Sequence, residues 1–396
     1  MHDVGLTNGG KVTNESSESV SAPTRARDLG LSFDGVPGTT NTITDVPGLS
    51  IGMTTVHHGD HVRTGVTAIL PLGRDRVGVA VPAGLYAHNG NGELTGAHWI
   101  EESGSLNTPI MITNTHAVGT VHRAVIEWVA QHHGPSAAQW LLPVVGETWD
   151  GYLNDINGAH MTAAHVDEAL DGATADGVSE GSFGGGTGMN CYGFKGGNGT
   201  SSRRVPFAGA TYHVGVFLQT NFGRRDELSY RGRPVGRLMA TPCPIETDEW
   251  FALDRHVAGA GSCIGVVATD APLLPDQLRA LARRVSSGLA RTGTAGSHFS
   301  GDIFLAVSTA NAGALDSSFP AESDKLQSVA FVPWGRLDSF YDAVVEATEE
   351  SVWNSLTVNG TMTGRDGHRS YALDRDALRE LVLSDHHHYG EQRRGH

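Results

Sequence analysis

Short runs of apolar and β-branched residues recur along this chain, and their length and composition are typical of buried strands. Five of these runs lie at residues 65–70, 109–113, 214–218, 264–268 and 303–308. They are apolar at nearly every position, so both faces of the sheets that they form must be covered. Amphipathic segments can supply that cover, because their apolar residues share one helical face. Three such segments lie at residues 121–129, 278–289 and 344–356.

This combination predicts a layered α/β sandwich, with helices outside two apolar-faced sheets, rather than one doubly wound parallel sheet. The direction of the strands stays open at this point. The length of 396 residues is enough for one large domain or two ordinary ones. The 52 glycines follow no collagen-like period, so they predict many tight turns and close backbone approaches.

The charge balance excludes two classes of partner. With 28 Lys and Arg against 43 Asp and Glu, the net charge is -15, which argues against binding to nucleic acid or to anionic membranes. The three cysteines, Cys191, Cys243 and Cys263, have no CxxC spacing, so we expect no disulfide framework and a reducing, cytoplasmic location. Residues 1–22 are polar and contain no apolar signal-peptide core, which predicts a soluble, unsecreted protein.

The two ends are predicted to be disordered, because residues 1–26 and 384–396 cannot bury apolar surface. Residues 27–383 are then expected to form a single domain. Histidines cluster at residues 57–61, but no second ligand group with a defined spacing accompanies them, so we expect neither a metal nor another cofactor. The glycine-rich runs at 184–188 and 195–199 do not fit a phosphate-binding loop and are predicted to be structural.

One serine lies at a position where it could act as a nucleophile. Ser262 opens an apolar strand directly after the small, flexible run 256–261. A serine hydroxyl is inert at neutral pH without a base, whereas an α-amino group titrates near about 8, so an N-terminal serine carries nucleophile and proton acceptor on one residue. Glycine also permits the backbone geometry that attack on the preceding carbonyl requires. We therefore predict a hydrolase that cuts itself between Gly261 and Ser262, by an N-to-O acyl shift followed by hydrolysis.

That serine has a more ordinary interpretation and a neighbouring rival. A serine after glycine at the start of a strand is commonplace, and short motifs of this kind are weak on their own. The adjacent thiol of Cys263 is the rival nucleophile, but cutting after Gly261 would leave Ser262 at the new terminus. Cys263 is therefore expected to be a small, buried core residue.

Four further polar side chains are candidates. Ser300 and Asp302 lie two residues apart before a buried run, so they share one face and could hold the amine of Ser262. A turn in which the two bond local backbone amides fits equally well.

The other two candidates follow predicted strands. Glu147 lies in a polar loop after the apolar run 141–145 and could bind a substrate cation, although glutamate is most often an exposed surface residue. Asn221 ends the strand through 214–218, and its amide could donate to a developing oxyanion, although a structural Asn is routine there.

Several longer motifs occur in a characteristic order. They are NGNGE at 89–93, HWIEESG at 98–104, ITNTH at 112–116, GGGTGM at 184–189 and ATDAPL at 268–273. Through these motifs the chain resembles the L-aminopeptidase/D-esterase family, which includes the β-peptidyl aminopeptidases, from residue 25 to residue 367.

The resemblance implies a fold and a maturation. The fold is an α/β (α+β) four-layer αββα sandwich similar in layout to N-terminal-nucleophile hydrolases, formed by a single catalytic domain. The precursor is cleaved into an α chain, 1–261, and a β chain, 262–396, which stay together in a homo-oligomer, a tetramer of αβ pairs. The implied reaction releases N-terminal α-L residues, with β- or D-residues as further options, from short peptides, amides or esters.

The resemblance also implies roles for individual residues. Ser262 becomes the nucleophile that carries the acyl group, and Ser300 and Asp302 become its supporting polar groups. Asn221 becomes an oxyanion donor, and Glu147 becomes the group that binds the free amine of the substrate.

Two positions depart from the family pattern. Trp149 stands where relatives usually carry a tyrosine whose hydroxyl assists the oxyanion site, and an indole N–H is a larger donor with a different direction. Asp302 stands where some relatives have glutamate, so its shorter side chain must reach its partner directly or through water.

Two other functions are compatible with the same architecture. An acyltransferase would pass the acyl group to an amine instead of water. A noncatalytic binding protein would keep the scaffold as one uncut chain.

Overall fold

A computed structural model describes residues 24–247, 261–317 and 326–383. Of the ends predicted to be disordered, 1–26 and 384–396, residues 1–23 and 384–396 lie outside the described residues. The packed chain begins before the predicted boundary at residue 26, because Ala26 is already buried and Arg25 pairs with Glu180 at 2.8 Å. None of the described helices is long and apolar enough to span a bilayer.

The described residues contain fourteen strands. Their bounds are β1 (Ser50–His58), β2 (Val62–Leu70), β3 (Val81–Ala87), β4 (Ser105–Leu106), β5 (Ile110–Asn114), β6 (Val144–Thr148), β7 (Asn190–Cys191), β8 (Phe194–Lys195), β9 (Gly197–Phe207), β10 (Ala210–Asn221), β11 (Gly261–Thr269), β12 (Ser300–Ser308), β13 (Met362–Thr363) and β14 (Arg369–Ser370).

The same residues contain nine α-helices. Their bounds are α1 (Ala97–Ser103), α2 (Val118–His132), α3 (Gly134–Ala137), α4 (Ala163–Asp171), α5 (Val235–Leu238), α6 (Pro244–Thr247), α7 (Pro275–Arg291), α8 (Asp338–Thr357) and α9 (Arg375–Leu383).

Ten of the strands form two large mixed sheets. One has four strands in the order β1-β2-β5-β6, and the other has six in the order β4-β3-β12-β11-β10-β9. The pairs β5/β6 and β11/β12 are parallel and the remaining pairs in these sheets are antiparallel, which answers the question of strand direction that the sequence leaves open. The other four strands pair as β7/β8 and β13/β14.

Three apolar layers define the architecture. The central layer lies between the sheets, where Ile69 and Ile112 of one sheet pack with Ile264 and Leu305 of the other. A second layer lies between the six-stranded sheet and α7 with α8, and a third lies between the four-stranded sheet and α2 with α4. The order of layers is helix, sheet, sheet, helix, so the predicted αββα sandwich is confirmed.

Each predicted strand overlaps an observed one, although Pro109 lies just before β5, and β9 is one of the strands with no counterpart among the five predicted runs. Its sequence, GNGTSSRRVPF, is polar and glycine-rich, although most of the strand is buried. Its first residues pack against α8, and a Cβ at Gly199 would overlap the carbonyl oxygen of Ser351 in that helix. Close packing of backbone on backbone therefore replaces the apolar pattern on which strand prediction relies.

The contact between β9 and α8 predicts a stability effect. Replacing Gly199 with Ala forces the helix away from the sheet, because Ser351 and Ser355 both lie within overlap distance of the added Cβ. Overpacking of this kind costs about 1–3 kcal/mol, so the melting temperature measured by calorimetry should fall by several degrees. The control is Gly119→Ala in α2, where an added Cβ meets no atom within 4 Å and the melting temperature should stay the same or rise. Equal melting temperatures for both variants would contradict this packing.

Candidate active site

Ser262 lies at the start of β11, between two neighbouring strands. Its Cα is paired with Asn221 of β10 on one side and with Gly301 of β12 on the other. The residue is 2% exposed, and its Oγ has no hydrogen-bonding partner among the described residues. The run 248–260, which contains most of the predicted flexible segment before the cleavage position, lies outside the described residues.

The alternation of β11 separates Ser262 from its neighbour Cys263. Ile264 and Val266 face the layer between the sheets, so Ser262 faces the same way. Cys263 faces the opposite layer, under the helices, where it is fully buried. Burial raises the pKa of the Cys263 thiol well above its ordinary value, which keeps it protonated. The prediction that Cys263 is a buried core cysteine is confirmed.

The side chain of Asn221 shares the face of Ser262. Phe217 of the same strand faces the layer between the sheets, and Asn221 follows it at the same period. Its Oδ1 accepts a hydrogen bond from the backbone N–H of Asn190 at 2.9 Å, and its Nδ2 donates to the backbone carbonyl of Trp149 at 2.9 Å. These two bonds fix the orientation of the amide and leave its second N–H to donate elsewhere.

Trp149 contributes to this arrangement through its backbone. Its carbonyl receives the bond from Asn221, while its indole lies against Gly151, where a Cβ would be 2.5 Å from the indole Cε2. The predicted site residue is therefore next to Asn221.

Ser300 and Asp302 form a buried pair on β12. The Ser300 hydroxyl donates to Asp302 Oδ1 at 2.7 Å, so the shorter acidic side chain reaches its partner directly. The pair lies on the face opposite the Ser262 side chain, because Phe304 of the same strand faces the helices. Ser300 is paired in register with Gly261, which places it beside the Gly261–Ser262 peptide bond. The alternative of a local turn is wrong, since both residues lie within a strand.

Asn89 holds Asp302 from a different part of the chain. Its Nδ2 donates to Asp302 Oδ2 at 3.1 Å, and its Oδ1 accepts the Asp302 backbone N–H at 2.6 Å. Burial raises the pKa of Asp302, and the bonds from Ser300 and Asn89 oppose that rise.

Glu147 is the penultimate residue of β6 and is only 3% exposed. The interpretation of this residue as an ordinary surface carboxylate is therefore wrong. Oε1 accepts the backbone N–H of Glu93 at 2.9 Å, and Oε2 accepts the hydroxyl of Thr115. Burial raises the pKa of the Glu147 carboxyl, while the hydrogen bonds from the Thr115 hydroxyl and the Glu93 backbone lower it. A buried carboxylate gains strongly from an incoming cation, because the cation replaces lost hydration.

Sequence reasoning assigned no role to Asn89 or Thr115, which hold the two carboxylates of the site. Both residues belong to motifs that carry the family resemblance, NGNGE at 89–93 and ITNTH at 112–116. Their place in those motifs was the one sign in the sequence that Asn89 and Thr115 belong to the site. The carboxylates that they bond are distant in the sequence.

The histidines at 57–61 lie at the end of β1 and in the turn to β2. Within residues 24–247, 261–317 and 326–383, no group of three or more His, Cys, Asp or Glu side chains is arranged to hold a metal ion. The glycine-rich runs at 184–188 and 195–199 form a buried 3-10 turn and the strands β8 and β9.

Comparison with known proteins gives consistent matches over most of the chain. The model of peptidase family S58 matches residues 41–370. The beta-peptidyl aminopeptidase BapA of Sphingosinicella microcystinivorans is 45% identical over 370 residues, covering 90% of this chain and 91% of the relative. The protein of the same name from Sphingosinicella xenopeptidilytica is 40% identical over 385 residues, 94% of each chain.

Solved structures match the fold. The L-aminopeptidase D-Ala-esterase/amidase of Ochrobactrum anthropi superposes with a TM-score of 0.84 at 42% identity, covering 91% of this chain and 98% of that one. It is described as a prototype for the serine aminopeptidases and as a variant of the Ntn hydrolase fold. A beta-aminopeptidase of Burkholderia sp. gives a TM-score of 0.81 at 41% identity, covering 90% and 99%. These matches confirm the predicted Ntn-hydrolase-like sandwich.

Asp150, which follows Trp149, makes the stability of the protein depend on pH. Burial raises the pKa of its carboxyl to about 7, against the opposing effect of hydrogen bonds from Thr64 and Asn154. Between the unfolded pKa near 3.8 and the folded value, the unfolded chain holds fewer protons than the folded one. This carboxyl therefore destabilises the fold increasingly as the pH rises through that interval.

We expect Asp150→Asn to remove this penalty. The stability of the variant relative to the wild type should increase from pH 5 to pH 8 by on the order of 2 kcal/mol, measured from melting temperatures at each pH. The control is Asp60→Asn, since the Asp60 side chain is 95% exposed and its carboxylate stays in water in both states. Parallel curves of stability against pH for the wild type and Asp150→Asn would show that Asp150 does not take up a proton on folding.

Proposed function

This chain belongs to peptidase family S58 and is an aminopeptidase, and we propose that its nucleophile is Ser262, freed by cleavage of its own Gly261–Ser262 bond. One observation carries the proposal. The Ser262 hydroxyl is buried beside the Asn221 amide, yet none of the described residues bonds it and so none acts as its base. An α-amino group on Ser262 itself supplies the missing proton acceptor, because it titrates near about 8.

The reaction that follows is acyl transfer. The Ser262 amine accepts the hydroxyl proton while Oγ attacks the first carbonyl of the substrate, and the free N–H of Asn221 donates to the oxyanion. The proton passes to the leaving amine, and the acyl group stays on Ser262. Water then attacks the ester and releases the amino acid, with the amine again accepting and returning the proton.

The Ser300–Asp302 pair suits the task of holding the new amine. Ser300 lies beside the residue that precedes Ser262, and its hydroxyl already donates to Asp302 at 2.7 Å. The lone pairs of Ser300 can therefore accept a hydrogen bond from an ammonium at position 262. This contact would position the amine for proton transfer to and from Oγ.

Glu147 gives the activity its preference for a free N-terminus. Its carboxylate is buried and can form a charge-assisted hydrogen bond with a substrate ammonium. A peptide bond within a longer chain offers no such charge. The substrates that we propose are short peptides, amino-acid amides and esters, with α-L, β- or D-residues at the N-terminus, the range that the names of the relatives suggest.

We also propose that the protein works in the cytoplasm as a homo-oligomer of αβ pairs. The acidic balance and the three cysteines without paired spacing suit a reducing compartment. Size measurement by light scattering tests the assembly.

Self-cleavage predicts two fragments. Denaturing mass spectrometry of the purified wild type should show chains that end at Gly261 and begin at Ser262, because the hydroxyl attacks the preceding carbonyl. Ser262→Ala lacks the attacking oxygen and should remain one chain with no activity. An active, uncut wild type would refute the proposal. If the wild type is cut but transfers its acyl group to an added amine faster than to water, it acts as an acyltransferase.

The role of Glu147 predicts a selective change in kinetics. Glu147→Ala removes the partner of the substrate ammonium, so KM for amino-acid amides should rise roughly 10- to 100-fold with a smaller change in kcat. The control is Glu101→Ala on α1, an exposed glutamate outside the site, which should retain the KM of the wild type. An unchanged KM in Glu147→Ala would remove this role.

A further inference from the structure

One segment connects the two sheets at the end where the site lies. We call residues 88–95 the bridging segment. At its start the backbone N–H of His88 donates to the carbonyl of Asp302 in the six-stranded sheet at 2.8 Å. At its end the backbone N–H of Thr95 donates to the carbonyl of Val145 in the four-stranded sheet at 3.0 Å. The chain therefore crosses directly from the strand of Asp302 to the strand of Glu147.

The first half of the bridging segment is bonded to β12 and to Phe299, the residue before it. Asn89 makes the two hydrogen bonds with Asp302 that are described above. Asn91 donates from Nδ2 to the carbonyl of Phe299 at 3.0 Å and from its backbone N–H to the carbonyl of Ser300 at 3.3 Å. These four bonds fix the segment against the strand that flanks the nucleophile.

The second half of the segment contacts the amine-binding carboxylate. Glu93 donates its backbone N–H to Glu147 Oε1 at 2.9 Å. Gly92 is inserted between the two sides of the site, because a Cβ built on it would lie 2.9 Å from the Cα of Gly301 and 3.3 Å from Glu147 Oε1. Because Gly92 has no side chain, Gly301 and Glu147 can approach each other across it.

We propose that the bridging segment sets the distance between Glu147 and Ser262. This distance selects how many carbon atoms separate the free amine of the substrate from its scissile carbonyl. The inference rests on the proposed function, since it takes Glu147 as the amine site and Ser262 as the nucleophile. Gly301 is the strand partner of Ser262, so whatever separates Gly301 from Glu147 also separates the nucleophile from the amine site.

The expected effect follows from the size of the substrates. An α-aminoacyl group has one carbon between nitrogen and carbonyl, and a β-aminoacyl group has two, which lengthens the span by about one bond of roughly 1.5 Å. A misplacement on the order of 1 Å can change a rate about a hundredfold. The displacement caused by one added Cβ is smaller than a misplacement of this size. It is still large enough to change the relative rates for the α- and β-aminoacyl substrates.

The test uses Gly92→Ala with Gly90→Ala as its matched control. Both changes add one methyl group to the same segment, but a Cβ at Gly90 meets no atom within 4 Å. The substrates are glycine p-nitroanilide and β-alanine p-nitroanilide, which differ by one methylene and have no side chain. The measured quantity is the ratio of kcat/KM for the longer substrate to that for the shorter one. A merely structural loss of activity would lower both values and leave the ratio unchanged.

We expect the ratio to rise roughly tenfold in Gly92→Ala and to stay within about twofold of the wild type in Gly90→Ala. An unchanged ratio in Gly92→Ala, or a shift towards the shorter substrate, would overturn the proposed role of the bridging segment while leaving the proposed function in place. A wild type that hydrolyses neither substrate would overturn both. If Gly92→Ala does not fold, Asn91→Ala replaces it, because loss of the bond to Phe299 loosens the segment and should bring the ratio closer to one. A ratio equal to that of the wild type in Asn91→Ala would then overturn the proposed role of the bridging segment.

Discussion

The backbone hydrogen-bond ladder of β11 is the constraint on which the site depends. It places Ser262 opposite Asn221 in an antiparallel pair and opposite Gly301 in a parallel one. A slip of one residue would turn Cys263 towards the other sheet and Ser262 towards the helices. The apolar residues of β11 prevent that slip, because they fill the layer on each side of the sheet.

Two buried carboxylates give the site its electrostatic character. Burial is the largest cause that raises the pKa values of Glu147 and Asp302, and hydrogen-bond donors oppose it in each case. Thr115 bonds Glu147, and Ser300 and Asn89 bond Asp302. Carboxylates held in this state are stabilised by a nearby ammonium, such as that of a substrate or the proposed N-terminal amine of Ser262.

The two sheets contribute different parts of the chemistry. The six-stranded sheet carries the proposed nucleophile Ser262 with the Ser300–Asp302 pair and Asn221, and the four-stranded sheet carries Glu147. On the proposed mechanism, catalysis depends on the distance between the two sheets at the end where these residues lie. The bridging segment and the bond from Asn221 to the backbone of Trp149 cross that gap.

Much of the fold could be predicted from local patterns. The apolar runs gave five strands, the amphipathic segments gave α2, α7 and α8, and ordered motifs gave a family that the comparisons confirm. The sequence did not predict β9, which is polar and packs against a helix by backbone proximity. It also favoured exposure for Glu147, because composition cannot distinguish a buried carboxylate from a surface one.

The sequence by itself determined the layers and the position of a serine at the start of a buried strand, because hydrophobic periodicity is a local property. Only the tertiary structure decided the direction of the strands, the face that Ser262 occupies and the partners of the two carboxylates. The reason is separation along the chain: Asn89 and Asp302 are 213 residues apart, and Glu93 and Glu147 are 54 apart. Contacts between such distant residues leave no periodic trace, and the folded sheets alone bring them within hydrogen-bonding distance.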